Sequence, residues 1–177
     1  MTKDNFIVIT GGPGAGKSTI LDGLSKLGYE FVGETARTII KDRISRGLSP
    51  RPNPDEFARQ IFDIDFKNYI DNINASQPLF FDRSFLDSAA MLFEATRTET
   101  LSVTEILNTY RFRKSVFIAP PWKEIYQNDS ERDQSYKDSV EIYKMLYKWY
   151  DLNDYTLIQI PKSDIDSRIH FILDNIK

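Results

Sequence analysis

Phe6-Ile7-Val8-Ile9-Thr10-Gly11-Gly12-Pro13-Gly14-Ala15-Gly16-Lys17-Ser18-Thr19 is the stretch from which the rest of the chain can be read. The apolar run Phe6 to Thr10 stops at paired glycines, which predicts a short buried strand. Gly11 to Ser18 then follows the spacing G-x-x-x-x-G-K-[ST]. Glycines let a chain curl until several backbone N–H groups point inward at phosphate oxygens. A helix beginning near Gly16 adds its positive end. Lys17 is suited to bridging β and γ phosphates, and the Ser18 hydroxyl to holding Mg²⁺. The expected nucleotide-binding set is Gly11, Gly12, Pro13, Gly14, Ala15, Gly16, Lys17, Ser18 and Thr19. In a dinucleotide-binding loop the Lys-Ser pair would have no role. No guanine-reading Asn-Lys-x-Asp run follows, so ATP is the expected nucleotide, with GTP possible.

Working outward, Ile20, Leu21, Leu24 and Leu27 recur at helical spacing, and Tyr29 to Val32 offers a second strand. A helix after Gly33 carries Ile40 and Ile44 one turn apart and runs out near Gly47. Residues 55–73 cover a wide helical stripe with Phe57, Ile61, Phe62, Ile64, Phe66, Tyr69 and Ile70. Leu79 to Asp82 is a third strand ending in a carboxylate, and helices are expected near 86–96 and 102–110. Ser115 to Ala119 makes a fourth strand, halted by Pro120-Pro121. Residues 122–138 are polar and read as a mobile segment before a helix over 139–152. Tyr155 to Ile160 is a fifth strand. Ser163 is the expected cap of a last helix, with Asp166 completing a capping box and Ile165, Ile169, Ile172 and Ile176 on one face. Strands alternating with helices imply an α/β fold, a parallel sheet covered on both faces. The 177 residues suit a single domain.

The bulk composition narrows the function. The chain is 41% apolar and 28% charged with net charge −3, an ordinary globular balance that gives no reason to expect a nucleic-acid partner. There is no cysteine and one histidine, so thiolate chemistry and a histidine-rich metal centre are excluded. No apolar run approaches the roughly 18 residues of a membrane span, and no signal peptide is visible. The expected location is the cytosol, without integral membrane association.

Carboxylates mark the remaining chemistry. Asp82 closes a predicted strand, where ligands bind in open α/β sheets. It can hold Mg²⁺ with Ser18, while Arg83 can hold an anionic group; otherwise Asp82 is a helix cap beside a surface arginine. Glu34 follows the second strand and can accept a proton from a hydroxyl nucleophile. Arg37, one turn on, can bind substrate or pair with Glu34. The acceptor pocket is expected near Arg37 and Phe57. A lid over about 122–138 would bring Arg132 to the phosphates, although neighbouring acids also fit a solvated surface. Arg111 and Arg113 are weaker candidates for the same duty. Trp122, Tyr126, Trp149 and Tyr150 read as core or rim aromatics, and His170 as a surface or packing residue.

On these residues the chain resembles the P-loop kinase branch that includes nucleoside and nucleotide kinases. That branch has a five-stranded parallel sheet, usually ordered 2-3-1-4-5, and a lid. More closely, the chain is similar to small bacterial "AAA domain" ATP-binding proteins related to the kinase part of bifunctional nicotinamide-riboside kinases. The resemblance rests on FIVITGGPGAGKST at 6–19, GETAR at 33–37, FFDRS at 80–84 and RFRKSVFIAPPWKEIYQNDSERDQS at 111–135. It implies that Asp82-Arg83-Ser84 is the Asp/Glu-Arg-Ser element and Glu34 the base after strand two. A eukaryotic relative in the group binds GTP and phosphoinositide. True AAA+ motors carry a second acidic motif of Asp-Glu type and a helical lid domain, whereas here Asp82 is followed by Arg83. The resemblance thus implies an ATP- and Mg²⁺-dependent phosphotransferase with Lys17, Glu34, Asp82, Arg83 and Arg132 as its catalytic set. Glu34, Arg37, Phe57 and Arg83 would bind a small nucleoside-like or phosphorylated acceptor. The alternative from another class is a nucleotide-binding regulator or slow ATPase/GTPase with no small-molecule acceptor.

Overall fold

The computed structural model describes residues 1–126 and 134–177. In chain order the elements are β1 (Thr2–Lys3), β2 (Phe6–Gly11), α1 (Lys17–Lys26), β3 (Glu30–Val32), α2 (Thr35–Ser45) and α3 (Pro54–Asp71). There follow β4 (Leu79–Asp82), α4 (Phe85–Thr96), α5 (Leu101–Thr109), β5 (Arg111–Phe112) and β6 (Ser115–Ala119). A 3₁₀ turn at Lys123–Ile125, α6 (Tyr136–Leu152), β7 (Thr156–Gln159) and α7 (Ile165–Asn175) complete the described chain.

Five strands form one sheet in the order β3-β4-β2-β6-β7, and every neighbouring pair is parallel. Strand β2 is central and buried at every position, which is why Phe6 to Thr10 reads as continuous rather than alternating apolar sequence. Side chains nevertheless alternate between faces. Phe6, Val8, Leu79, Phe81 and Val116 join α3, α4, α5 and α6 in one core. Ile7, Ile9, Phe80 and Phe117 join α1 and α7 in another. The first core is built largely of aromatic edges: Phe81 and Phe112 lie 5.1 Å apart between centroids, and Tyr69 meets Phe6 at 5.0 Å. Register then fixes the functional edge. Ile9 pairs with Asp82 and Gly11 with Ala119, so three strands end together beneath the glycine-rich loop.

Several boundaries differ from the sequence reading. Helix α6 begins at Tyr136, not 139, because Ser135 caps it and Asp138 closes a capping box. Residues 123–125 are likewise a regular turn, so the ends of the expected 122–138 lid belong to ordered elements; residues 127–133, with Arg132, lie outside the described residues. The cap of α4 is Ser84 rather than Asp82, since Asp82 is still inside the strand. The cap of α7 is Asp164 rather than Ser163; its carboxylate accepts from the Ser167 N–H at 2.9 Å. Strands β1 and β5, a two-residue parallel ladder, were not expected. Among the described residues no helix is long and apolar enough to cross a membrane.

Candidate functional site

The loop between β2 and α1 is held from outside by three elements. Ser139 Oγ, in the first turn of α6, donates to the Pro13 carbonyl at 2.7 Å. Arg168 Nη2, from α7, donates to the Ala15 carbonyl at 2.9 Å. The Tyr126 ring lies against Gly14, where a Cβ would come within 2.5 Å of it. Two glycines are required by this packing. A Cβ on Gly12 would sit 2.4 Å from the Ser139 carbonyl oxygen, and Gly16 caps α1 at φ 81°. Lys17 is buried, and its ammonium donates to the Gly12 and Gly11 carbonyls at 3.2 and 3.4 Å. Those bonds hold it over the loop where phosphate would bind.

At the end of β4 the backbone turns sharply. Arg83 has φ 72°, a left-handed conformation an arginine adopts only when its surroundings dictate it. Its N–H donates to the Ile9 carbonyl at 3.0 Å. This turn sends the guanidinium between two acids. Nε donates to Glu34 Oε1 at 2.8 Å, and Nη1 lies 3.5 Å from Asp87 Oδ1. Arg37 Nε approaches the other Glu34 oxygen at 4.0 Å. Burial alone would raise the Glu34 carboxyl, but Arg83, Lys17 and Arg37 together pull it down to about 2.

Asp87 is the fixed point beneath Arg83. It accepts from Tyr150 Oη at 2.6 Å, from the Ser84 N–H at 3.0 Å and from Thr10 Oγ1. Burial, with Asp87 beside it, pushes the Tyr150 hydroxyl well up, so it remains a donor. Burial also lifts the Asp82 carboxyl, with Glu34 and Asp87 adding to the rise and Lys17 and Arg83 opposing it. Asp82 Oδ1 is buried and has no hydrogen-bond partner among the described residues, an orphan acceptor that a hard divalent cation or its water would satisfy. Among the described residues no group of three or more His, Cys, Asp and Glu forms a metal cage. Ser18 and Asp82 are the residues that would hold such a cation.

Beside the loop opens a cleft of about 950 Å³, counting its open mouth. Lys17, Glu34, Arg37 and Arg83 line its polar side, and Phe57, Ile61, Met91 and Ile142 its apolar side. The sequence-predicted Lys17, Glu34, Arg37, Phe57 and Arg83 are thus brought together. Arg111 and Arg113 are not. Arg111 lies over the Tyr155 ring at 4.2 Å, and Arg113 donates to the Ile176 carbonyl at 3.0 Å. Trp149 and Tyr150 are buried, whereas Tyr126 covers the phosphate loop instead of filling a core rim. His170 is exposed.

Sequence reasoning missed Asp65, Asp87 and Arg168, and read Tyr150 only as the core aromatic it is. Asp65 accepts from Thr35 Oγ1 at 2.5 Å and Ser88 Oγ at 2.8 Å. Burial raises its carboxyl to about 7, against the pull of those two hydroxyls, with Asp87 adding to the rise and Arg83 opposing it. Its signal was present: Phe57, Ile61, Asp65 and Tyr69 are spaced by four, which places an acid on a buried stripe. Ser84-x-x-Asp87 was likewise a readable capping box.

The family described as "AAA domain" matches residues 6–168 of this chain. Comparison with curated proteins gives no match. Among solved structures, deoxyadenosine kinase from M. mycoides with bound dATP superposes at TM-score 0.68 and 18% identity, over 97% of this chain and 98% of that one. The same enzyme with products dCMP and dCDP gives TM-score 0.70 at 18% identity, with the same 97% and 98% coverage. NadR in complex with NR gives TM-score 0.64 at 12% identity over 97% of this chain, which spans 50% of that protein. At these identities the superpositions establish the shared fold.

Proposed function

Because this chain belongs to the family described as "AAA domain", we propose that it is an ATP- and Mg²⁺-dependent phosphotransferase whose acceptor is a small nucleoside. The observation that carries this reading is the cleft beside the phosphate loop. Its lining joins Lys17 of the phosphate loop to a carboxylate, Glu34, and to an apolar wall suited to a ring. A nucleotide-driven switch needs the loop but not a furnished pocket beside it. The strand order, 2-3-1-4-5 when the five strands are counted along the chain, supports a kinase-like architecture. So does the likeness to a deoxyadenosine kinase and to NadR. The cytosol, where ATP and free nucleosides meet, is the location this reading assumes.

In this mechanism the loop amides and Lys17 hold the triphosphate, and Lys17 follows the charge on the β and γ oxygens. Ser18 and Asp82 would hold Mg²⁺, which would supply charge neutralisation at the phosphates. The acceptor hydroxyl forms a new bond to the γ phosphorus while the bond from that phosphorus to the β–γ bridging oxygen breaks. The hydroxyl proton passes to Glu34. Depression of Glu34 to about 2 keeps it ionised at neutral pH but weakens it as a base. Phosphoryl transfer tolerates this, because its loose transition state asks more for positioning than for deprotonation. Arg83, held by Asp87 from behind, fixes Glu34 and faces the acceptor with a second cation. Arg37 and Phe57 bound the acceptor.

The test is incubation with γ-labelled ATP, Mg²⁺ and a panel of nucleosides, mononucleotides and pyridine ribosides. A labelled acceptor that disappears with Lys17→Ala supports the transferase. Labelled inorganic phosphate alone, at a rate no acceptor alters, favours a slow NTPase or nucleotide-dependent regulator instead.

A further inference from the structure

Of the carboxyls that line the cleft, Glu34, Asp65 and Asp87, the transfer chemistry leaves Asp65 without a part. Asp65 lies at the middle of α3, on the same stripe as buried Phe57, Ile61 and Tyr69. A carboxyl there is costly unless something uses it. It is also built in. Thr35, at the start of α2, donates to one oxygen at 2.5 Å, and Ser88, on α4, donates to the other at 2.8 Å. The two hydroxyls donate to Asp65 and help fix the plane of the carboxyl between three helices. Each carboxyl oxygen keeps acceptor capacity beyond the hydroxyl bond it already receives. Asp65 itself lines the cleft, together with Phe57, Ile61 and Met91, which offer apolar contact.

We infer that Asp65 selects the acceptor by its ring, accepting a hydrogen bond from an amino or carboxamide N–H on the heterocycle. This deepens the transferase reading and rests on it. The chemistry follows from the donor inventory. A ring edge carrying N–H₂ supplies the hydrogen that the carboxyl lacks. The same ring without that group leaves a buried acceptor facing carbon, and a site built for a donor rejects such an analogue strongly. Apolar contact with Phe57 and Ile61 is indifferent to the substituent, so discrimination falls to Asp65. Thr35 and Ser88 are positioning residues that act through it.

The test compares ribosides that differ only by the amino group: adenosine with purine riboside, and cytidine with its 4-des-amino analogue. Transfer from γ-labelled ATP is read as kcat/KM. The wild-type enzyme should prefer the amino member of at least one pair by roughly ten- to hundredfold. Asp65→Ala should bring that preference to within about twofold, chiefly by weakening the amino substrate. Asp65→Asn, which keeps an acceptor oxygen, should restore part of it. A ratio is read, so partial misfolding of either variant cancels between the members of a pair. Equal transfer to amino and des-amino ribosides by the wild-type enzyme overturns the selection by Asp65 and leaves the transferase standing. Preference that survives intact in Asp65→Ala also overturns it. Absence of transfer to every acceptor overturns the transferase reading, and this inference with it.

Discussion

At Glu34 and Asp65 the same cleft drives two carboxyls in opposite directions, and pH separates them. Burial pushes both up, but Glu34 has Arg83 at 2.8 Å whereas Asp65 is held by two hydroxyls. Glu34, depressed to about 2, contributes stability that is present above its unfolded value and lost as pH falls toward 2. Asp65 does the reverse. Its carboxyl is raised from 3.8 to about 7, so its contribution is present below 3.8 and lost as pH rises through 7. Asp65→Asn, which cannot ionise, should therefore gain stability relative to the wild type between pH 5 and pH 8. Cleft water screens the charge, and the gain expected from urea titrations at the two pH values is about 1–2 kcal/mol. A gap between variant and wild type that stays constant with pH would contradict the assignment. Arg83 has the larger effect. Removing it in Arg83→Ala leaves Glu34 and Asp87 enclosed without their shared cation, for a loss of about 3–5 kcal/mol by the same titration. A loss below about 1 kcal/mol would mean that the pair is screened as a surface pair is.

Among the elements, the strands were the most readable and the joints the least. Phe6 to Thr10, Leu79 to Asp82 and Ser115 to Ala119 declare themselves as apolar runs because both faces of the sheet are covered. Strands β1 and β5 are too short to carry any period, and they exist through pairing with each other. The start of α6 was hidden because its capping box, Ser135 with Asp138, lies in polar sequence with no apolar residue to mark the first turn. That start matters, since α6 supplies the Ser139 hydroxyl to the phosphate loop. Gly12→Ala would drive a Cβ to 2.4 Å from the Ser139 backbone carbonyl, and a helix backbone cannot step aside cheaply. Loop and α6 should separate, weakening ATP at least about tenfold in calorimetry. Ser139→Ala removes one hydrogen bond and should cost only about 1 kcal/mol of stability. If Gly12→Ala binds ATP as the wild type does, the packing of α6 on the loop is not what shapes the phosphate site.

Across the whole molecule, the sequence announced the proposed nucleotide half of the site and only outlined the proposed acceptor half. The loop is local: its residues are neighbours in the chain, and their spacing is the message. Glu34 and Arg83 are 49 positions apart in sequence, yet each follows a strand, so sheet logic could place both at one edge. Asp65, Asp87 and Tyr150 come together only through packing of α3, α4 and α6 on one face of the sheet. Each is readable alone as a cap, a core aromatic or a stray acid, and no spacing joins them. The long polar stretch gave the weakest guide, and Arg132 stays outside the described residues.

The claim that binds these scales is that nucleotide turnover is coupled to an acceptor through Glu34. The most direct measurement is ADP formation with and without the acceptor identified by the labelling panel, for the wild type and for Glu34→Gln. The account predicts that acceptor accelerates ADP formation in the wild type, one ADP for each phosphorylated acceptor. It predicts that Glu34→Gln lowers the acceptor-dependent rate by about 10²-fold, the low end for a general base because its carboxyl is held down to about 2, while ATP affinity is kept. ADP formation that is blind to acceptor, or equally fast in Glu34→Gln, would contradict it.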